Sequence, residues 1–328
     1  MNIWLNGIMG VVVGDALGTP VQFLPRNEVK LRPVKGMEGF GTFNMPVGTW
    51  SDDGSMTLAT LCSINAKKEI DLDDIMKRFV AWDYKGEYTP FGESFDQGRT
   101  CTAAIYNYVM KRDVNTCGLR DEGSNGNGSL MRIMPVCLFA YEKIKSGDIT
   151  VAQAVEMIHQ VSALTHAHLR SKIACGIYFF MVKAILDEDG DLKVRLQKGI
   201  DEAMEFYRGD LENMVQLAFY GRIADLENFG KLPEENIKSS GYVVDTLEAA
   251  IWSLITTDSF SEGALKAVNL GWDTDSVAAV ACGLSGLYYG YDGIPKEWVD
   301  VIQKKEWIEG LCATLNENVI ARQSTIKK

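Results

Sequence analysis

Apolar residues recur at steps of three and four positions in most segments of this chain, and almost nothing alternates with a period of two. The first spacing places apolar side chains on one face of an α-helix, whereas half-buried strands need the second. The helical runs predicted from it cover residues 3–17, 56–64, 71–82, 100–111, 130–145, 150–163, 171–186, 194–206, 211–219, 245–255, 262–269 and 277–289, with one more opened by Pro295 and a last one ending near Arg322. The pattern predicts an all-α protein. Because no linker or internal repeat divides it, we interpret residues 1–328 as a single domain.

Glycines mark one face of the first predicted helix. Gly7, Gly10, Gly14 and Gly18 follow one another at steps of three or four residues, so another element is expected to pack closely against that face. The spacing is not GxGxxG and no strand precedes it, which argues against a dinucleotide fingerprint. A long stretch rich in proline and glycine follows, from residue 19 to residue 50. Long irregular loops in compact domains are usually functional.

Composition narrows the class of protein. With 328 residues, 46% of them hydrophobic, the chain can bury a large core. Its net charge of −11 argues against a nucleic-acid or anionic-membrane partner, which would need a basic face. The seven cysteines show no CxxC spacing and are expected to be reduced. No signal peptide or long uncharged apolar window is evident, so we expect a cytoplasmic protein that does not enter the membrane, with a monomer favoured.

Two clusters of oxygen ligands, far apart in sequence, each precede an apolar helical run. They are Ser51-Asp52-Asp53 and Asp273-Thr274-Asp275-Ser276. If the fold joins them, four carboxylates and two hydroxyls would surround one point, an environment that hard divalent cations select. Both clusters could instead cap helices, because Asp, Ser and Thr favour helix N-termini. The spacing alone leaves both interpretations open.

Three further features are candidates for a site. The glycine- and asparagine-rich segment 123–129 runs into the helix predicted from Leu130, a usual setting for binding anions. Asp96 lies between aromatic and turn residues, where it could serve a site or cap a helix. His166 lies at a predicted helix boundary, where it could face a site or be a structural, hydrogen-bonded histidine.

Six stretches, in order, resemble the ADP-ribosylglycohydrolase family, the group that includes dinitrogenase reductase-activating glycohydrolase. They are residues 10–21, 48–53, 95–98, 124–132, 164–166 and 267–276. Residues 242–249 also look like bacterial members. Any one stretch is weak evidence for the family. All six occur in the family's order between about residue 3 and residue 300, and this is strong evidence. Helix capping alone does not explain this ordered set.

The resemblance implies an all-α orthogonal bundle with two Mg²⁺ or Mn²⁺ ions at its centre. By position, the implied metal ligands are Ser51, Asp52, Asp53, Asp273, Asp275 and Ser276, with Asp275 as the bridge. The implied contacts to ADP-ribose, from the glycine-rich loop and around it, are Asn125, Asn127, Gly128, Ser129, Arg132 and His166. Arg99 stands where relatives often have asparagine or an apolar residue, and it would add a phosphate contact. Trp272 stands where many relatives have glycine or glutamate.

The implied chemistry is cleavage of a ribosyl bond. Two hard cations about 3.5–4 Å apart can grip the ribose diol and orient a water. An oxocarbenium-like transition state also needs a nearby carboxylate, for which Asp53 and Asp96 are the candidates. Members commonly carry glutamate where this chain has Gln22. We include Gln22 with Asp53 and Asp96 among the candidate catalytic residues, although its amide cannot act as a base.

We therefore expect a metal-dependent hydrolase that removes ADP-ribose from a modified protein or small molecule. Motifs of the bacterial type favour ADP-ribosyl-arginine. Two alternatives remain open. The chain could be an ADP-ribose-binding or structural relative that has lost turnover at Gln22, or it could hydrolyse another ribosylated small molecule.

Overall fold

The computed structural model describes residues 2–326, with the side chains of residues 2–315. This part of the chain is helical and contains no strand, only isolated bridges, so the all-α prediction is confirmed. The α-helices are α1 (Ile3–Gly18), α2 (Arg26–Leu31), α3 (Asp52–Lys67), α4 (Leu72–Lys85), α5 (Arg99–Lys111), α6 (Met134–Lys145), α7 (Val151–Ala163), α8 (Leu169–Asp187), α9 (Leu192–Tyr207), α10 (Leu211–Leu217), α11 (Leu226–Phe229), α12 (Val243–Ile255), α13 (Phe260–Val268), α14 (Thr274–Tyr289), α15 (Lys296–Val299) and α16 (Lys305–Ile326). Short 3₁₀ turns join several of them. None of the described helices has the length and apolarity needed to cross a membrane.

Most predicted helices lie within a few residues of the observed ones, but α3 and α14 begin well before their predicted starts. Helix α3 starts at Asp52 and α14 at Thr274, ahead of the apolar runs predicted from residues 56 and 277. The last helix also continues beyond Arg322, to Ile326. Because the early starts include polar residues, both acidic clusters form the first turn of a helix. Both helix N-termini therefore carry the candidate ligands.

The prediction that the glycine-rich loop feeds a helix N-terminus is wrong. Helix α6 begins at Met134, and the intervening residues form turns in which Met131 N donates to Asn127 O and Ile133 N to Leu130 O. Pro135 lacks an N–H and is best placed in the first turn of a helix, which explains the late start. Segment 123–129 is therefore held by turns and is not backed by a helix N-terminus.

Helices α1 and α14 pack backbone against backbone at the centre of the molecule. A Cβ atom on Gly10 would lie 2.2 Å from the carbonyl oxygen of Cys282, and one on Gly14 would lie 2.3 Å from that of Ala278. Real side chains cannot approach so closely, so only glycine permits this contact. The predicted glycine face is thus confirmed, and almost all of α1 is buried in the core. All seven cysteines are free, and all but Cys62 are buried.

Candidate active site

The two acidic clusters meet where the start of α3 faces the start of α14. Ser276 Oγ donates to Asp53 Oδ2 at 3.2 Å. Ser51 Oγ lies 3.4 Å from Asp53 Oδ2 and 3.4 Å from Asp275 Oδ2. All these side chains are buried. Segments separated by more than 200 positions in the chain therefore share one polar centre.

Asp15, near the end of α1, organises this centre and was missed in the sequence as a site residue. Its carboxylate accepts hydrogen bonds from Ser51 N at 2.9 and 3.0 Å and from Gly54 N at 2.7 Å. Thr19 Oγ1 donates to it as well, at 3.0 Å. Asp15 thus fixes the first turn of α3 against α1. The sequence did give an indication of this role, because Asp15 lies in residues 10–21, the first of the six stretches that resemble the family.

Helix capping explains only part of the acidic clusters. Ser51 caps α3, since its hydroxyl accepts from Asp53 N, although at 3.4 Å. Asp273 precedes α14, but its side chain makes no capping bond. It accepts instead from Asn127 Nδ2 at 2.5 Å and from Gln22 Nε2 at 3.4 Å. Asp96 caps nothing either, because Gly98 is the N-cap of α5.

Burial and mutual repulsion oppose ionisation of these carboxyls within the protein. Burial raises the pKa of Asp52, Asp53 and Asp275 well above the usual range, and repulsion from neighbouring carboxylates raises it further. Burial likewise raises the pKa of Asp15 to about 6 and that of Asp96 to about 7. None of the ion pairs found among residues 2–315 involves these groups or Asp273. The centre therefore concentrates acidic oxygens with no protein cation to neutralise them.

The donor set fits a hard divalent cation by its chemistry. Asp53 Oδ1 and Asp275 Oδ1 are buried and have no hydrogen-bond partner within the described residues. Such unpaired acidic oxygens are costly unless a cation or proton satisfies them. In the described part of the chain, no three His, Cys, Asp or Glu side chains stand close enough to hold an ion by themselves. The hydroxyls of Ser51 and Ser276 lie among these carboxylates, so the set that fits is a mixture of carboxylates and hydroxyls.

A cleft of about 380 Å³ opens above this centre. Asp96 borders it; burial raises the pKa of its carboxyl, while the nearby side chains of Gln22 and Asp275 lower it. Asp96 also holds a left-handed backbone conformation with φ of 61°, which a non-glycine residue rarely adopts. Predicted site residues that line the cleft are Gln22, Asp52, Asp96, Arg99, Asn127, Gly128, His166, Asp273 and Ser276. Ser51, Asp53 and Asp275 are buried with them but are not part of the lining.

Three predicted ligand contacts lie behind the cleft wall. Asn125 Oδ1 accepts from Ser171 Oγ at 3.0 Å, and Ser129 Oγ accepts from Ser162 Oγ at 2.9 Å. Arg132 is fully buried and donates from Nε to Gly128 O at 2.9 Å. None of the three lines the cleft, although Arg132 Nη1 is buried without a hydrogen-bond partner among the described residues. Their expected contacts with a ligand stay predictions.

Arg132 also sets the proton position on His166. Arg132 Nη2 donates to Thr165 Oγ1 at 2.6 Å, and Thr165 Oγ1 lies 2.9 Å from His166 Nδ1. The hydroxyl uses a lone pair for the guanidinium, and an imidazole nitrogen accepts its proton better than the neighbouring Cys101 thiol does. His166 is then protonated on Nε2. Burial and the charge of Arg132 lower the pKa of His166 to about 3, so it is a neutral hydrogen-bond donor on the cleft wall.

The glycine-rich loop is tied to its surroundings by both backbone and side chains. Asn127 N donates to Gly241 O, and Val243 N donates to Asn125 O, each at 3.0 Å. Arg170 on α8 donates to Glu122 at 2.5 Å and stacks on Phe219, with its guanidinium carbon 3.5 Å from the ring centre. Sequence reasoning missed Arg170, because no motif surrounds it and its partners are distant in the chain. These contacts hold the loop without a helix N-terminus.

Comparisons with known proteins agree with this architecture. A family model described as ADP-ribosylglycohydrolase matches residues 4–325. The chain is 31% identical to ADP-ribosylarginine hydrolase Tri1 of Serratia proteamaculans, over 94% of this chain and 78% of that protein. It is 28% identical to ADP-ribosyl-[dinitrogen reductase] glycohydrolase of Rhodospirillum rubrum, over 92% of this chain and 90% of that protein.

A solved structure gives the same result for the fold. The chain superposes on an ADP-ribosylglycohydrolase-related protein complex with a TM-score of 0.76 and 28% sequence identity, covering 96% of each chain. The family model matches nearly the whole chain, and the helical fold with its joined acidic clusters agrees with that match. The chain therefore belongs to the ADP-ribosylglycohydrolase family and is a hydrolase of that family.

Proposed function

We propose that this hydrolase releases ADP-ribose from ADP-ribosylated arginine, with two Mg²⁺ or Mn²⁺ ions. The observation that carries the proposal is the buried set of acidic groups without a protein cation, at the base of a cleft with neutral donors on its wall. The similarity to ADP-ribosylarginine hydrolase Tri1 across 94% of the chain supports arginine as the acceptor. The neutral donor His166 and the cationic Arg99, both in the cleft lining, suit the oxygen atoms of a diphosphate or ribose.

The proposed metal ligands are Asp52, Asp53, Asp273 and Asp275, with the hydroxyls of Ser51 and Ser276. All are oxygen donors, and Mg²⁺ and Mn²⁺ prefer oxygen. Bound divalent cations would neutralise the carboxylates, hold the ribose diol and polarise a water. Asp15 would support the set from below, because its oxygens already accept hydrogen bonds from Ser51 N and Gly54 N.

The proposed proton acceptor is Asp96. Water oxygen would form a bond to the anomeric carbon while the bond from that carbon to the guanidine nitrogen breaks. The water proton passes to Asp96 and is returned through solvent to the departing guanidine nitrogen, so that arginine and ADP-ribose result and Asp96 is regenerated. Asp96 suits this role because it borders the cleft and burial raises its pKa to about 7. Asp53, the other candidate, is buried in the set of ligands.

The test is release of free ADP-ribose from matched peptides carrying ADP-ribosyl-arginine or ADP-ribosyl-serine, with Mg²⁺ present. Faster release from the arginine peptide is expected. An Asp275→Asn variant, which keeps the side-chain volume, should lose release from both peptides. If a folded chain releases nothing from either peptide, the proposed function is wrong. A preference for serine would overturn only the acceptor.

Gln22 supports a second candidate, an ADP-ribose-binding protein without turnover. Its Oε1 atom is buried and has no hydrogen-bond partner among the described residues, and an amide cannot accept a proton near neutral pH. Calorimetry separates the two functions. Metal-dependent binding of ADP-ribose without hydrolysis, together with cleavage gained in Gln22→Glu, would favour the second.

A further inference from the structure

We propose that an aromatic row at the cleft mouth, Phe23, Phe43 and Phe95, binds the acceptor side of the substrate and takes a planar cation, the arginine guanidinium. The inference rests on the proposed function and deepens it, because it names the part of the protein that selects the acceptor.

The three rings form a continuous surface although they come from separate loops. The ring centres of Phe23 and Phe43 are 6.1 Å apart in an edge-to-face arrangement, and those of Phe43 and Phe95 are 5.1 Å apart and tilted. Phe23 remains 55% exposed, and the other two are half-buried. A large apolar surface open to water is unfavourable unless something covers it.

The row runs between two residues of the reacting centre. Phe23 directly follows Gln22 and itself lines the cleft, and Phe95 directly precedes Asp96. The Gln22 side chain lies near the Asp96 carboxyl. The row therefore borders the reacting centre, where it can hold the acceptor half of the substrate.

The backbone holds the exposed end of the row in a costly conformation. Phe23 has φ of 66° and Trp272, which is 52% exposed, has φ of 65°. For bulky residues the left-handed region is unfavourable. Two hydrogen bonds enforce it: Phe23 N donates to Trp272 O at 2.6 Å, and Trp272 N donates to Leu24 O at 2.8 Å. Such strain persists when the surrounding structure fixes it, so Phe23 is held ready before a ligand arrives.

Charge favours a cation at this position. Asp96, which is not one of the proposed metal ligands, lines the cleft next to Phe95. A guanidinium over aromatic rings gains from their negative faces, and a nearby carboxylate adds to that attraction. The diphosphate, being anionic, is better served by Arg99 and by the neutral donor His166, which also line the cleft.

The experiment compares two ligands, ADP-ribose and ADP-ribosyl-arginine, by calorimetry with Mg²⁺. All proteins carry Asp96→Asn so that the conjugate is not cleaved. The parent should bind the conjugate about fivefold more tightly than ADP-ribose, the usual size of a cation–π contact. Phe23→Leu and Phe43→Leu should each lose most of that gain while their Kd for ADP-ribose stays within twofold. Phe23→Tyr, which keeps the ring, should retain the gain.

Tyr106→Leu is the matched control, because Tyr106 on α5 is also 55% exposed but is not part of the row. It should leave both Kd values unchanged. An equal loss for both ligands would assign the row to the adenine and overturn the proposal. So would a parent that binds the conjugate no more tightly than ADP-ribose. Failure of the proposed function would be detected separately, because the chain with Asp96 intact would then release no ADP-ribose.

Discussion

Asp96 combines three properties of a proton acceptor: a place on the cleft wall, a strained backbone and a raised pKa. Burial raises its pKa to about 7, so near neutral pH it can both accept and return a proton. We expect Asp96→Asn to lower kcat for ADP-ribosyl-arginine by about 100-fold or more. Its Kd for ADP-ribose should change less than threefold.

Steady-state kinetics and calorimetry together check this prediction. Asp113→Asn, at a partly exposed position after α5 that is not part of the cleft lining, serves as the control and should behave as the unaltered chain. If Asp96→Asn keeps full kcat, the proton acceptor must be sought elsewhere, with Asp53 as the next candidate.

His166 offers a spectroscopic test of the arrangement behind the cleft wall. The chain has only three histidines, so ¹⁵N NMR can resolve each ring. We expect His166 to be neutral and protonated on Nε2 from pH 5 to pH 8, because its pKa is lowered to about 3 and Thr165 donates to Nδ1. Thr165→Val should change this signal and weaken ADP-ribose binding, while Thr165→Ser should restore both. An Nδ1-protonated ring in the unaltered chain would contradict the assignment.

At the scale of elements, the close packing of α1 and α14 holds the site together. Asp15 and Asp275 lie on these two helices, so their separation sets the width of the acidic centre. Gly14→Ala would drive a Cβ to within 2.3 Å of Ala278 O. We expect it to destabilise the protein by about 2–3 kcal/mol and to weaken Mg²⁺ binding, both measured against the unaltered chain.

Gly310 provides the control for that substitution. It lies in α16, and no atom lies within 4 Å of where its Cβ would be. Gly310→Ala should leave Mg²⁺ binding unchanged and stabilise the protein by about 0.5–1 kcal/mol, the usual gain within a helix. Unaltered Mg²⁺ binding and stability in Gly14→Ala would show that the contact between the two helices does not position the site.

Glu248 on α12 is not part of the candidate active site, and it makes the stability of the folded protein depend on pH. Burial raises its pKa from 4.5 to about 7, although Arg222 donates to it at 2.6 Å. Because the folded pKa exceeds the unfolded one, the folded state binds the proton more tightly, and this contribution to stability is lost as pH rises from about 4.5 to about 7. Glu248→Gln should therefore raise Tm more at pH 8 than at pH 5. Equal changes in Tm at both values would contradict the raised pKa.

At the scale of the whole molecule, sequence patterns predicted the structural features whose physical cause lies between neighbouring residues in the chain. Helical periodicity depends on neighbours in the chain, so most of the helices were predictable, as the run predicted at residues 150–163 and found at Val151–Ala163 shows. The acidic clusters also stood out, because oxygen ligands occur together in each. The start of α6 was misplaced, since turns at residues 128–133 override a local pattern that suits a helix.

What escaped prediction depends on contacts between distant segments. Asp15 acts through backbone groups of α3, and Arg170 acts through Glu122 and Phe219. Arg132 was predicted to face a ligand, yet the fold buries it behind Gly128 and Thr165. No single stretch of sequence specifies which side of a wall a side chain will occupy, because packing of the complete molecule decides it.

The most direct test of the account measures ADP-ribose release from an ADP-ribosyl-arginine peptide as divalent cation is removed and returned. Chelation followed by dialysis should lower the rate at least about 100-fold, and Mg²⁺ or Mn²⁺ should restore it as two equivalents bind per chain. Asp275→Asn should not recover under the same titration. A chain that keeps its full rate in chelator would contradict the claim that the buried carboxylates form a cation-dependent hydrolytic centre.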